Sequence, residues 1–242
     1  MHVFARKIKK LTMKSAFTLI EMLVVIAIIS ILMTAGVVGL NGMGGKGVTS
    51  GVATAESVFD EARTTAISRN IRSCVLVAKE LTNAPNEDLR RLLVAYEDTN
   101  DNGTASDPTS SSPTWVLSSR AVLLPDQTYF SQKFSRKNNE TGGDLDSINS
   151  GRIEGVKSSH AGEYFIYEFN SQGICKTQGA TFIIGTGIRK INASGIEAPP
   201  KVSGSAKKDF GGFVIWRNGS TSIFRSPDQM GDLKNINPGD TF

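Results

Sequence analysis

The sequence predicts an α+β protein: an apolar N-terminal helix, then an amphipathic helix, then an antiparallel β-sheet. Three observations carry this. From Phe17 to Leu40 the chain is apolar or small, with Glu21 its only charged residue. Val52, Ala55, Val58, Phe59, Ala62 and Ala66 recur at helical spacing, with Glu56, Asp60, Arg63 and Arg69 outside the stripe. Beyond Asn70 come short runs rich in β-branched and aromatic residues, bounded by Gly, Asn, Asp or Pro.

The apolar run of 24 residues forms a helix about 36 Å long at ~1.5 Å per residue, enough to cross a hydrocarbon core of roughly 30 Å. Arg6, Lys7, Lys9, Lys10 and Lys14 precede it, with no acid among residues 1–16. The positive-inside rule keeps that segment cytoplasmic and sends the C-terminal bulk across the membrane. A carboxylate inside such a run costs on the order of 2.5–3.5 kcal/mol near mid-membrane and less at the interface. Glu21 therefore reads as a functional group with a partner. A signal peptide cut near Thr34-Ala35-Gly36, or a plain signal anchor, leaves it unexplained.

Ala16-Phe17-Thr18-Leu19-Ile20-Glu21-Met22-Leu23-Val24-Val25-Ile26-Ala27-Ile28-Ile29 resembles the class III signal of type IV prepilins and pseudopilins. The resemblance implies a basic leader, residues 1–16, removed by a prepilin peptidase between Ala16 and Phe17. Phe17 then becomes the N-methylated terminus of the mature chain. Residues 17–40 stay as a single-pass helix in the bacterial inner membrane, with the rest periplasmic, and pass into the core of a pilus or pseudopilus. Ala16 stands where the family usually has Gly. The resemblance also implies that Glu21 meets the Phe17 amine of a neighbouring subunit and so sets register in an open, head-to-tail assembly.

Three further stretches are similar to GspH/FimT-type minor pseudopilins. Glu61–Asn70 resembles the end of their long helix. Val94–Gly103 resembles a strand-plus-turn segment, and Phe169–Gly173 a later strand end. The implied function is that of a minor pseudopilin of a type II secretion system. The alternative is a minor type IV pilin in pilus assembly, adhesion or DNA uptake. Other pilin subunits are the implied partners.

Charge supports a non-nucleic-acid role. The chain has 27 Lys+Arg and 23 Asp+Glu, net +4. Losing residues 1–16 removes five cations and no acids, so 22 − 23 leaves −1. The basic balance belongs to the leader, and a global positive field is no basis for binding nucleic acid. A local cluster of Lys201, Lys207, Lys208, Arg217 and Arg225 serves a DNA-binding rival only if it converges on one face.

Residues 41–51 contain five glycines, each costing about 0.8–1 kcal/mol against Ala in a helix, and read as a hinge. The amphipathic helix is expected over 52–70, opening a globular domain that spans 52–242. Strands are expected at Ile71–Lys79, Leu92–Glu97, Trp115–Leu124, Tyr129–Phe134, Glu163–Phe169, Thr181–Thr186, Phe213–Arg217 and Thr221–Arg225. Asn218-Gly219 marks a hairpin turn between the last two. Residues 136–151 and 192–209 read as loops.

The remaining chemistry is sparse. Asp98-x-Asn100-x-Asn102-Gly103 matches the first half of a calcium loop, but Thr109 stands at the twelfth position where a bidentate Glu belongs. The competing reading is a hairpin loop whose Asn, Asp and Gly supply turn geometry. Cys74 and Cys175 lie on the translocated side. Either they pair, closing a loop of about 100 residues worth up to ~4.7 kcal/mol, or they are two buried free thiols. His160 reads as a surface residue of a Ser158-Ser159-His160-Ala161 loop, and His2 lies in the leader. No metal-ligand cluster, nucleophile elbow or phosphate loop occurs in the sequence. Neither enzymatic activity nor a cofactor is expected, and an exported enzyme with a retained anchor would require a polar cleft.

Overall fold

The computed structural model describes residues 18–41, 44–98, 115–118, 120–137, 147–153, 158–177, 179–191, 199–202, 209–224, 237 and 239–242. The side chains of 31–46 and 158 lie outside that description. The chain divides into two compact units, Met1–Gly42 and Met43–Phe242.

The first unit contains α1 (Leu19–Asn41), with Glu21 in its first turn. Its side chains from Leu19 to Ser30 are exposed, so it presents apolar surface all round.

The second unit is built on α2 (Gly44–Arg69). One sheet has the order β3-β2-β1-β7-β6, with β4 also pairing β2. Its strands are β1 (Ser73–Leu81), β2 (Arg91–Glu97), β3 (Trp115–Leu117), β4 (Val122–Leu123), β6 (Ser150–Arg152) and β7 (Gly162–Phe169). The other has the order β11-β10-β8-β5, with β9 pairing β8. Its strands are β5 (Thr128–Phe130), β8 (Ala180–Ile188), β9 (Lys201–Val202), β10 (Phe210–Ile215) and β11 (Thr221–Ile223). Every pairing between these strands is antiparallel.

The stripe predicted on the helix is the stripe that packs: Val52, Ala55, Val58, Phe59, Ala62 and Ala66 are all buried. Phe59 is its centre. Its ring meets Tyr167 and Phe169 of the first sheet and Phe182 and Phe213 of the second, all edge-on, with centroids 5.1–6.3 Å apart. Such pairs contribute about 0.5–1.5 kcal/mol each beyond burial. Alternation on β1 sends Val75 and Val77 to this core, while Cys74, Leu76 and Ala78 join Leu93, Ala95, Trp115, Ile153 and Tyr164 in a separate layer on the sheet's other face.

The structure departs from the sequence reading at several points. The residues are arranged in two sheets, not one. α2 is described from Gly44, and the part of the expected hinge from Gly44 to Gly51 is helical. The reason is close packing. A Cβ on Gly51 would stand 2.7 Å from Ile184 Cδ1, and one on Gly47 would stand 3.3 Å from Thr128 Oγ1. The glycines let helix and strands approach, and that burial offsets their poor helix propensity.

The expected strand Trp115–Leu124 is split into β3 and β4. That at Tyr129–Phe134 ends at Phe130, because the chain then turns to bond β8: Ser131 N–H donates to Ile183 O, and Ile183 N–H donates to Ser135 Oγ. Two expected loops hold short strands, β6 and β9. The Asn218-Gly219 turn forms as expected, with Gly219 at φ +77° and Ser220 N–H donating to Asn218 Oδ1 at 3.0 Å.

Candidate functional site

At the start of α1, Thr18 is the residue before the first helical position. Its N–H donates to Glu21 Oε2 at 2.8 Å and its hydroxyl to the same oxygen at 2.9 Å. The Glu21 N–H in turn stands 3.3 Å from Thr18 Oγ1. This is a capping box. The T-x-x-E spacing satisfies two helix-end donors reciprocally and holds the carboxylate over the N-terminal end of the helix. Thr18-x-x-Glu21 is a readable signal, and the sequence reading used only the charge of Glu21.

Ala16 and Phe17 lie outside the described residues. Among the described residues, no helix is long and apolar enough to cross a membrane. The described side chains of α1 stop at Ser30, so that statement covers only part of the apolar run.

The cysteines do not pair. Both are buried free thiols. Cys74 stands opposite Glu168 on β7, and the next residue on that strand, Phe169, bridges Cys175. Cys74 points into the outer layer and Cys175 into the core around Phe59, on opposite faces of the sheet. A disulfide needs its two Cβ atoms about 3.8 Å apart, which this arrangement forbids. Burial pushes both thiols up, Cys175 to about 11.

Of the calcium motif, Asp98 is exposed and follows β2, while Asn100 and Asn102 lie outside the described residues. Among the described residues, no group of three His, Cys, Asp or Glu side chains is placed to hold a metal ion.

His160 is half-buried, not a surface residue. It closes a 3-10 turn (Ser158–His160) that holds Arg91. Arg91 Nη1 donates to Ser159 O at 3.0 Å and lies 3.3 Å from His160 Nδ1. The Tyr164 hydroxyl donates to His160 O at 2.6 Å. Arg91 also pairs with Glu87 at 2.6 Å. This cluster is a brace between turns.

Of the basic cluster, Lys201 and Arg217 are described, and Lys207, Lys208 and Arg225 are not. Lys201 pairs with Ile188 at one end of β8, and Arg217 follows Ile215, which pairs with Ala180 at the other. At ~3.3 Å per residue, eight residues separate them by about 26 Å. These two do not converge.

Comparison with known proteins places the signal where the capping box lies. Residues 11–37 match the family described as a prokaryotic N-terminal methylation motif. No curated protein and no solved structure matches the chain. The matched motif marks a type IV pilin or pseudopilin precursor, a membrane-anchored structural subunit processed by prepilin peptidase and assembled with other pilin subunits.

Proposed function

We propose that this chain is a minor pseudopilin of a type II secretion system, of the GspH/FimT type, which supports protein export as part of a pseudopilus. Cleavage between Ala16 and Phe17 frees the amine that is methylated. Residues 17–40 anchor the chain in the inner membrane before extraction, and the β-rich unit stands on the periplasmic side.

The observation that carries this reading is the capped helix start within the matched motif. Both of Thr18's donated bonds go to Glu21 Oε2. The carboxylate is thereby preset at the helix end next to residue 17, where the amine of a neighbouring subunit's Phe17 would meet it. Charge-assisted pairing there would hold register between neighbouring apolar helices.

A minor type IV pilin is the second reading, and its DNA-binding form draws no support from Lys201 and Arg217, which lie apart. The test is intact mass and terminal sequencing of the membrane-bound mature protein, with Glu21→Ala alongside. An N-methylated Phe at residue 17, with a processed but unassembled variant, is the expected result. A terminus near Gly36 means a conventional signal peptide and ends the filament reading.

A further inference from the structure

Arg91 is held along two edges of its guanidinium. Nε and Nη2 both reach Glu87 Oε2 at 2.6 Å. Nη1 donates to Ser159 O at 3.0 Å and stands 3.3 Å from His160 Nδ1. A guanidinium has donors only, so the ring nitrogen that faces it is an acceptor. The His160 ring is therefore neutral, with its proton on Nε2. Arg91 is buried and His160 half-buried.

The other ionisable groups here come from four elements. On β7 the Tyr164 hydroxyl donates to His160 O at 2.6 Å, with the Arg91 guanidinium beside it. Asp88, next to Glu87, lies within electrostatic reach of Arg91, of Arg189 and of Glu80 on β1. Its carbonyl accepts Arg189 Nη2 at 2.7 Å, from the segment after β8. Glu163, at the start of β7, pairs with Lys79 at 2.8 Å. Glu154 and Lys157 precede the turn in sequence and lie outside the described residues.

We propose that His160 is the proton sensor of a local latch: the neutral ring accepts Arg91 and closes the Ser158–His160 turn on the start of β2, and a proton on Nδ1 opens it. That proton turns the acceptor into a donor and sets two cations 3.3 Å apart. Arg91 keeps Glu87 on its other edge, so the side that yields is the turn. Its release takes along the bond from Thr82 N–H to Ala161 O, 3.0 Å long and one residue further on. Imidazole is the side chain whose ordinary charge change falls between about pH 5 and 8, so mild acid is the trigger. The latch lies wholly in the β-rich unit and does not rest on how the chain is anchored or assembled.

The test is made on the full chain in detergent. The chain has two histidines, His2 and His160, so the nitrogen-15 ring signals that vanish in His160→Asn belong to residue 160. At neutral pH they should show an unprotonated Nδ1 and a protonated Nε2. Protection of the Thr82 amide, corrected for intrinsic exchange, should fall roughly tenfold between about pH 7.5 and 5.5. His160→Asn leaves an acceptor facing Arg91 with no proton to gain, and its Thr82 protection should stay flat. The Ile183 amide, bonded to Ser135 Oγ in the second sheet, should stay protected throughout in both proteins. A proton on Nδ1 at neutral pH overturns the latch, as does Thr82 protection that ignores pH. So does the same fall in His160→Asn, or an equal fall at Ile183, which would be global unfolding.

Discussion

Thr18 and Glu21 hold each other at the start of α1, the threonine donating twice to one carboxylate oxygen while its own hydroxyl oxygen faces the glutamate N–H. Glu21 thus has a local role before any neighbour arrives: it finishes the helix. Its other oxygen, Oε1, takes neither of the two bonds from Thr18. Cap and intersubunit partner are compatible on one carboxylate.

Separating the two roles is possible. Thr18→Val keeps the branched shape and removes the hydroxyl, and is expected to weaken the helix start by about 1 kcal/mol. Amide exchange at the first turn should accelerate roughly fivefold, while terminal processing and filament incorporation are retained in part. Glu21→Ala removes both roles and should abolish incorporation. Equal loss of incorporation in the two variants would mean that the carboxylate acts only through the cap.

Phe59 ties α2 to both sheets through four aromatic neighbours. Phe59→Ala should cost about 3–5 kcal/mol, and Phe59→Leu clearly less because most of the volume is kept. Denaturant titration of the full chain in detergent, followed by tryptophan fluorescence, reads this directly. A loss below about 1 kcal/mol for the alanine variant would mean that the two sheets are held together without the helix.

Much of this core was legible. The buried stripe on α2 matched its 3.6-residue period, because one face of a helix packs on a sheet whatever the partner. The start of α2 was not, because intrinsic propensity counts each glycine as a cost and cannot know that Ile184 and Thr128 press against Gly51 and Gly47. Strands of two or three residues such as β6 and β9 carry no period to read. Pairing of Cys74 and Cys175 stays open in the sequence because it does not reveal which face of a sheet each residue occupies.

Free thiols are checkable without mutation. Neither cysteine should react with a thiol reagent in the folded chain, and both should react once denaturant exposes them. Burial keeps each thiol protonated and shielded. Reductant should leave the melting temperature unchanged. A mass two hydrogens short in non-reduced protein would show a disulfide and a different placement of β7.

The turn at Gly219 carries more than its own hairpin. A Cβ there would stand 2.2 Å from the carbonyl oxygen of Gly173, which itself sits in a positive-φ turn at +73°. The two turns stack over the Arg63 side chain, near the end of α2. Gly219→Ala combines backbone strain at φ +77° with a collision that no side-chain rotation relieves. It should destabilise by about 3 kcal/mol. Asn218→Ala removes only the side-chain bonds to Ser220 and should cost about 1 kcal/mol. If the two variants cost the same, the stacked turns are not in contact.

Asp88 links the two sheets and gives the fold a pH dependence. Its Oδ1 accepts the Leu81 N–H at 2.8 Å, and its carbonyl accepts Arg189 Nη2 at 2.7 Å, from the segment after β8. Burial raises its carboxyl from 3.8 to about 6, against the opposing pull of the Leu81 N–H. A folded value above the unfolded one means that the folded chain holds the proton longer, so stability is greatest below 3.8 and is lost as pH rises through about 6. The carboxyl is half-exposed, which limits the effect to about 1 kcal/mol. Asp88→Asn keeps the acceptor for Leu81 and removes the charge. The variant should therefore melt above the parent at neutral pH, with the gap closing as pH falls toward 4. A gap that persists unchanged at low pH would trace the gain to packing and not to the buried charge.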